Sequence, residues 1–270
     1  GGLTFAPIRF PQQGIDAVAR LAEFSHLRVI RNLPVVEVDQ PAPATRTRAS
    51  GNHVMPDAPA NSDEIRAVIF DGGFPHDTLP WVSPIDAPGV PQPATDLAHG
   101  TSVTSAFLFG ALTGDETQLP VPYCNVDHVR VLPSSTNDWH AFDVIDRVIA
   151  HLKDARDRGL PYQLANLSLG PRLPMFDDDP HEWTVRLDDL LALGDIFMTV
   201  AVGNDGVEGP ELGRIQPPSD GVNVFAVGAS DRPDATGQRA DYSCVGPGRS
   251  PGLVKPDVLA FGGSDAHPLI

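Results

Sequence analysis

Cysteine is scarce in this 270-residue chain: Cys124 and Cys244 are the only two. Two thiols cannot build a disulfide framework, and neither a CxxC pair nor a Cys/His zinc spacing occurs. A single bridge between them stays open at this stage. Basic charge is also short, with 19 Lys and Arg against 35 Asp and Glu, for a formal net charge of −16. Phosphate-bearing partners need a basic face, so this balance argues against nucleic acid and anionic membrane. No apolar run approaches the length of a membrane span, and the N-terminus lacks the basic-then-apolar pattern of an export signal. The missing disulfide pattern leans toward a cytoplasmic setting.

What is present is a core. Hydrophobic residues make up 41 % of the chain, enough for one large domain or one domain with a small appendage. Residues 3 to 38 read as a β-α-β piece: Leu3 to Phe10 extended, Gly14 to His26 helical, then Leu27 to Ile30 and Val35 to Val38 extended. Gln40 to Asp63 is rich in Pro, Ala, Ser, Thr and Asn without periodicity, which is linker composition. The expected division is therefore an N-terminal appendage and linker at 1–63, and a main domain at 64–270. From Ile65 onward, strands (65–70, 126–132, 163–169, 196–202, 222–227) alternate with helices near 142–158 and 183–193. Gly159 and Gly194 close the two helices. Alternation of this kind predicts an α/β fold with a mostly parallel central sheet and helices on both faces.

Four stretches could carry chemistry. The β-branched run Ile65 to Phe70 ends on Asp71-Gly72-Gly73, placing a carboxylate at a strand tip, where open α/β sheets bind ligands. His99-Gly100-Thr101 precedes a run of small residues that can open a tightly packed helix, although a lone His-Gly is more often a loop or cap. Asn166-Leu167-Ser168-Leu169-Gly170 reads equally as a core strand or as an accessible edge that pairs with an extended peptide. The run through Ala201, Val202 and Gly203 ends on Asn204-Asp205-Gly206. That is either an ordinary turn or an amide placed to stabilise an oxyanion.

Singly these motifs are weak, but their joint order resembles the subtilisin-like serine peptidases. The resemblance extends through Pro218, Val224 to Ala229, Tyr242 to Gly246 and Lys255-Pro256-Asp257-Val258-Leu259-Ala260, covering roughly residues 65 to 263. It implies the subtilisin-like three-layer fold and a triad in the chain order Asp, His, Ser. Asp71 would orient and stabilise His99, which acts as general base and then general acid, and Asn204 would donate to the tetrahedral intermediate. Ser168, Leu169 and Gly170, with Ala201, Val202 and Gly203, would line the groove for a polypeptide substrate. Gly72 departs from the Ser or Thr usual at its position.

The nucleophile is the gap in this pattern. The family's serine opens a buried helix in a Gly-Thr-Ser-x-Ala-x-Pro box well beyond the Lys-Pro-Asp segment. Gly262 to Pro268 fits that box superficially. Ser264, however, follows Lys255-Pro256-Asp257 too closely, and only Leu269 and Ile270 come after Pro268. We therefore expect a domain truncated before its serine, inactive alone, whose partners are a polypeptide substrate and either the missing C-terminal part of its own chain or a second copy. The competing reading is a non-catalytic, peptide-binding relative. A metal-dependent hydrolase built on Asp177, Asp178, Asp179, His181 and Glu182 ranks behind both. That stretch would suit calcium and serves equally as N-terminal helix charge. No cofactor is otherwise expected. The remaining histidines (26, 53, 76, 128, 140, 151, 181 and 267) show no ligand spacing, and their default reading is surface or loop.

Overall fold

The computed structural model describes residues 3–8, 15–31, 36–37, 53–90, 97–112, 116–132, 141–249, 253–267 and 269. In chain order the elements are α1 (Ile15–Ala22), β1 (Val36–Glu37), β2 (Ser62–Asp71), β3 (Val82–Asp86), α2 (Ala98–Phe109), β4 (Cys124–Arg130), α3 (Ala141–Asp157), β5 (Leu164–Leu167), β6 (Gly170–Pro171), α4 (Glu182–Leu191), β7 (Phe197–Ala201), β8 (Phe225–Ser230) and β9 (Val258–Phe261). Seven strands form one sheet in the order β3-β4-β2-β5-β7-β8-β9, and every pairing in it is parallel. The expected α/β architecture is therefore present. No helix among the described residues is long and apolar enough to cross a membrane.

The continuous apolar run of β2 has a direct cause. The strand lies inside the sheet, and its last five residues are buried on both faces. Val68 and Phe70 join the cluster built by α3, α4 and the neighbouring strands, which includes Val144, Trp183 and Leu187. Ala67 and Ile69 face the other way, onto Leu108 and Phe109 of α2. The helix ends follow the sequence closely. Gly159 takes φ 71° after α3, its N–H bonding Arg156 O while Leu160 N–H bonds Ala155 O, which satisfies the last carbonyls.

Several expected boundaries shift. Residues 3–8 and 27–30 form no strand, having no ladder partner among the described residues; Leu3, Ile8, Val29 and Ile30 are exposed, and Arg9 and Phe10 of the expected first strand lie outside the described residues. Of 35–38 only β1 is a strand among the described residues, paired antiparallel with β6. The strand expected at 222–227 begins three residues later, because the Asp188 carboxylate takes the N–H groups of Val222 and Asn223. β3 went unpredicted because Pro84 sits in its middle; the strand occupies the edge of the sheet, where proline costs least. Cys124 and Cys244 are both buried free thiols, so no bridge joins them.

The Lys-Pro-Asp segment staples β8 to β9. Lys255 Nζ, on a side chain only 3 % exposed, donates to Val224 O at 2.9 Å and to Asp257 Oδ2 at 2.7 Å. Asp257 Oδ2 in turn accepts from Ala226 N–H. Lys255→Met keeps the packing volume but strands Val224 O, and is expected to cost about 1.5–3 kcal/mol, read as a lowered urea midpoint.

Candidate active site

In a parallel sheet all strands point the same way, so their carboxyl ends form one edge. Asp71 ends β2 there, fully buried, and Gly72 N–H donates to its Oδ1 at 2.6 Å. Gly73 must be glycine: its φ is 122°, and a Cβ would stand 2.8 Å from Leu97 Cδ2 and 2.9 Å from Arg130 Cδ. Beside this turn α2 begins, with His99 in its first turn. His99 Nδ1 lies 2.8 Å from Asp71 Oδ2 and 2.9 Å from Oδ1. A carboxylate only accepts, so Nδ1 carries the proton and Nε2 is left as the basic nitrogen. The imidazole is 16 % exposed, accessible from solvent on one side. Its small successor is equally required, since any Cβ on Gly100 would collide with Gly73 O.

Asn204 follows β7 on the same edge. β7 stands two strands from β2, about 10 Å at strand spacing. Its side chain is exposed and makes no hydrogen bond among the described residues, so its amide is available. The turn that carries it is fixed on all sides. Cys244 N–H bonds Gly203 O, Gly206 N–H bonds Tyr242 O, and Gly203 sits at φ 102° against Gln216. Asp205, 5 % exposed, receives Arg172 Nη2 at 2.6 Å and Gln216 Nε2 at 2.6 Å. Burial alone would raise the Asp205 carboxyl, but those bonds hold it below its ordinary range.

Ser168, Leu169 and Gly170 lie between the two, just past the end of β5, which stops at Leu167. Ser168 Oγ donates to Asn166 Oδ1, and Leu169 is buried. Gly170 belongs to β6, whose edge is already taken by Val36 and Glu37. Ala201 is exposed and Gly203 half-buried, whereas Val202 points into the core. Ser264 is elsewhere. It follows β9, four strands from β2 or about 19 Å away, and its Oγ donates to Asp231 O. Among the described residues no serine hydrogen-bonds His99.

On the α2 side, α2 covers β2 and β4, but the same face of β7, β8 and β9 is open. Phe197, Ala201, Val258 and Ala260 are exposed there, and Phe225 and Val227 half-buried, while Met198, Val200 and Ala226 on the opposite face are buried. Parallel sheets are normally covered on both faces. This apolar half-face adjoins the His99 and Asn204 edge.

The sequence matches the Subtilase family over residues 55–269. The chain belongs to that family. Among solved structures it resembles a psychrophilic protease at 23 % identity and TM-score 0.53, with 79 % of this chain and 69 % of that one covered. It also resembles the prenylagaramide maturation protease PagA at 22 % identity and TM-score 0.47, with 70 % and 60 % covered. The likeness to the psychrophilic protease concerns the fold, which is subtilisin-like. The chain spans about 60–66 % of the length of the first solved structures it matches. No curated protein matches it in sequence.

Elsewhere in this subtilase the acidic stretch is engaged with arginines. Asp177 pairs with Arg214, Asp178 with Arg31, Asp179 with Arg28 and Glu182 with Arg186. No three His, Cys, Asp or Glu side chains converge as metal ligands among the described residues. The N-cap of α4 is the His181 imidazole, accepting from Trp183 N–H. His128 overturns the surface reading of the spare histidines: it sits on β4, fully buried. Sequence spacing gave no warning of it, because its neighbours come from β2 and α2.

These buried groups set an acid limit. Burial pushes His128 and His181 down to about 4 and Glu182 up to about 7. From pH 6.5 down to 4.5 the unfolded chain binds two histidine protons that the folded chain refuses. The folded chain keeps one Glu182 proton that the unfolded chain releases. The stability owed to the neutral histidines is complete above pH 6.5 and is lost as the pH falls toward 4. Glu182 opposes half of this, its contribution being complete below 4.5 and lost as the pH rises to 7. The net one-proton difference predicts that stability rises by about 1.4 kcal/mol per pH unit between 4.5 and 6.5 from these groups. Urea midpoints flat or falling with pH across that window would contradict it.

Proposed function

We propose that this chain supplies the acid–base half of a serine endopeptidase: Asp71 orients His99, His99 Nε2 takes the proton of a serine hydroxyl, and Asn204 donates to the oxyanion. The nucleophile is carried by polypeptide that covers the open half-face of β7, β8 and β9. The observation that supports this best is the Asp71–His99 pair at 2.8 Å, at the carboxyl edge of a subtilase sheet, with Nε2 free to act. In the reaction His99 removes the serine proton as Oγ attacks the peptide carbonyl, then returns that proton to the leaving amine. Asn204 stabilises the negative oxygen between the two steps, a contribution of about 100- to 1,000-fold. The peptide lies along Ser168 to Gly170 and Ala201 to Gly203, and must share or displace the β1 segment on β6. Residues 1–63 are the appendage and 64–270 the peptidase domain in this reading.

The test is the natural reading frame beyond Ile270. A Gly-Thr-Ser-x-Ala-x-Pro segment opening an apolar helix, together with peptide-ester hydrolysis by the protein that carries it, supports the reading. A frame without such a serine favours the second one, a peptide-binding relative that no longer cleaves. The β1–β6 pairing favours that alternative to this extent: the β6 edge does hold an extended segment.

A further inference from the structure

His128 is fully buried, the peptidase reading does not use it, and it lies beneath the residues that reading depends on. In the parallel register of β2 and β4, His128 stands beside Ile69 and Arg130 beside Asp71. The His128 side chain therefore rises on the same face as the catalytic carboxylate, directly under the start of α2. Its Nδ1 lies 2.7 Å from the hydroxyl of Thr104, a residue of α2 that is itself 0 % exposed. On the other side of the ring is Gly100, the residue after His99. A Cβ there would stand 2.8 Å from His128 Cε1 and 3.0 Å from Nε2. The Phe74 ring closes the pocket at 5.7 Å.

This is an expensive way to fill a core. His128 Nε2 is buried and has no hydrogen-bond partner among the described residues, a cost of about 1–3 kcal/mol that an aliphatic side chain would avoid. Gly100, whose tightest neighbour is Gly73 O, also presses directly on the ring, and a threonine hydroxyl from the middle of a helix bonds it. Both contacts fall on α2, four residues apart on one face, at and just after the turn that carries His99. The charges of Asp71 and His99 are the ones that act on the ring, and burial keeps it neutral. A neutral imidazole can thus sit beneath the pair without placing a fixed charge there.

We propose that His128 is the positioning residue of the Asp71–His99 pair: its ring seats the first turns of α2, through Thr104 and Gly100, and so holds the His99 imidazole on the carboxylate. The inference rests on the reading of Asp71 and His99 as the acid–base pair. Its test, however, needs no turnover. The probe is the His99 Nδ1 proton, followed by NMR in the 270-residue protein, with the amide protons of β2 and β4 reporting global stability. Thr104→Val keeps the shape and removes the hydroxyl. It is expected to speed exchange of the His99 Nδ1 proton about tenfold, the equilibrium worth of one ordinary hydrogen bond, while the β2 and β4 amides stay protected. Thr104→Ser should restore the slow exchange. His128→Leu, if it folds, should match Thr104→Val. Acceleration in Thr104→Val that Thr104→Ser reverses supports the inference, and any other exchange behaviour of His99 in those two variants overturns it. A failure of the peptidase reading would show in the hydrolysis assay instead, leaving this result untouched.

Discussion

Given a peptide ester, the 270 residues alone are expected to hydrolyse it about a million-fold more slowly than the same residues joined to a serine-bearing helix, because removal of a triad nucleophile costs about that factor. The physical reason is the geometry at His99. With Nδ1 turned to Asp71, Nε2 is the nitrogen left to take a proton, but no serine stands against it among the described residues, and the Ser264 hydroxyl bonds Asp231 O four strands away. Water attacking through the His99 and Asn204 framework retains only the weak catalysis of an oxyanion site. The same experiment tests the open sheet face. Joining a segment that covers Phe197, Val258 and Ala260 should abolish concentration-dependent self-association of the shorter chain, since exposed apolar surface of this kind drives association. Rapid ester hydrolysis by the 270 residues, lost in Ser264→Ala, would sink the reading of both the site and Ser264.

The second large effect concerns Asp71. In the serine-bearing protein, Asp71→Asn is expected to lower kcat about ten-thousand-fold with little change in KM. Two donors converge on this carboxylate, Gly72 N–H on Oδ1 and His99 Nδ1 on both oxygens. An asparagine has one acceptor and one donor end. The backbone N–H of Gly72 cannot turn away, so the amide oxygen goes to it and the NH₂ group faces His99 Nδ1. His99 must then carry its proton on Nε2, where the serine proton should go, and it ceases to be a base. Peptide affinity measured without turnover should be unchanged, since Asp71 is fully buried and touches no substrate. A variant that keeps more than about a tenth of the parent rate would mean that the carboxylate does not set the tautomer of His99.

Much of this molecule is legible in its sequence. The alternation of apolar runs and helical stripes yields the parallel sheet, because strands this apolar call for cover on both faces. The boxes around Asp71, His99 and Asn204 leave local patterns: a strand tip before Gly72-Gly73, a histidine before small helix-opening residues, and an Asn-Asp-Gly turn after a strand. Gly73 and Gly203 do need positive φ. Elements that depend on remote partners were not legible. β3 hides behind Pro84, the start of β8 is set by Asp188 on a distant helix, and 3–8 has no strand partner among the described residues.

The site divides in the same way. Sequence by itself determined which residue types follow each strand or open each helix, and in what order, because strand ends, turns and helix starts leave patterns in adjacent residues. Tertiary structure alone decided the rest. It set the 2.8 Å contact between Asp71 and His99, the burial of His128 under Gly100, the capture of the β6 edge by β1, and the open face of β7 to β9. Each of these depends on segments tens of residues apart meeting in space. No periodicity or spacing encodes that meeting, since it is the sheet order that brings them together.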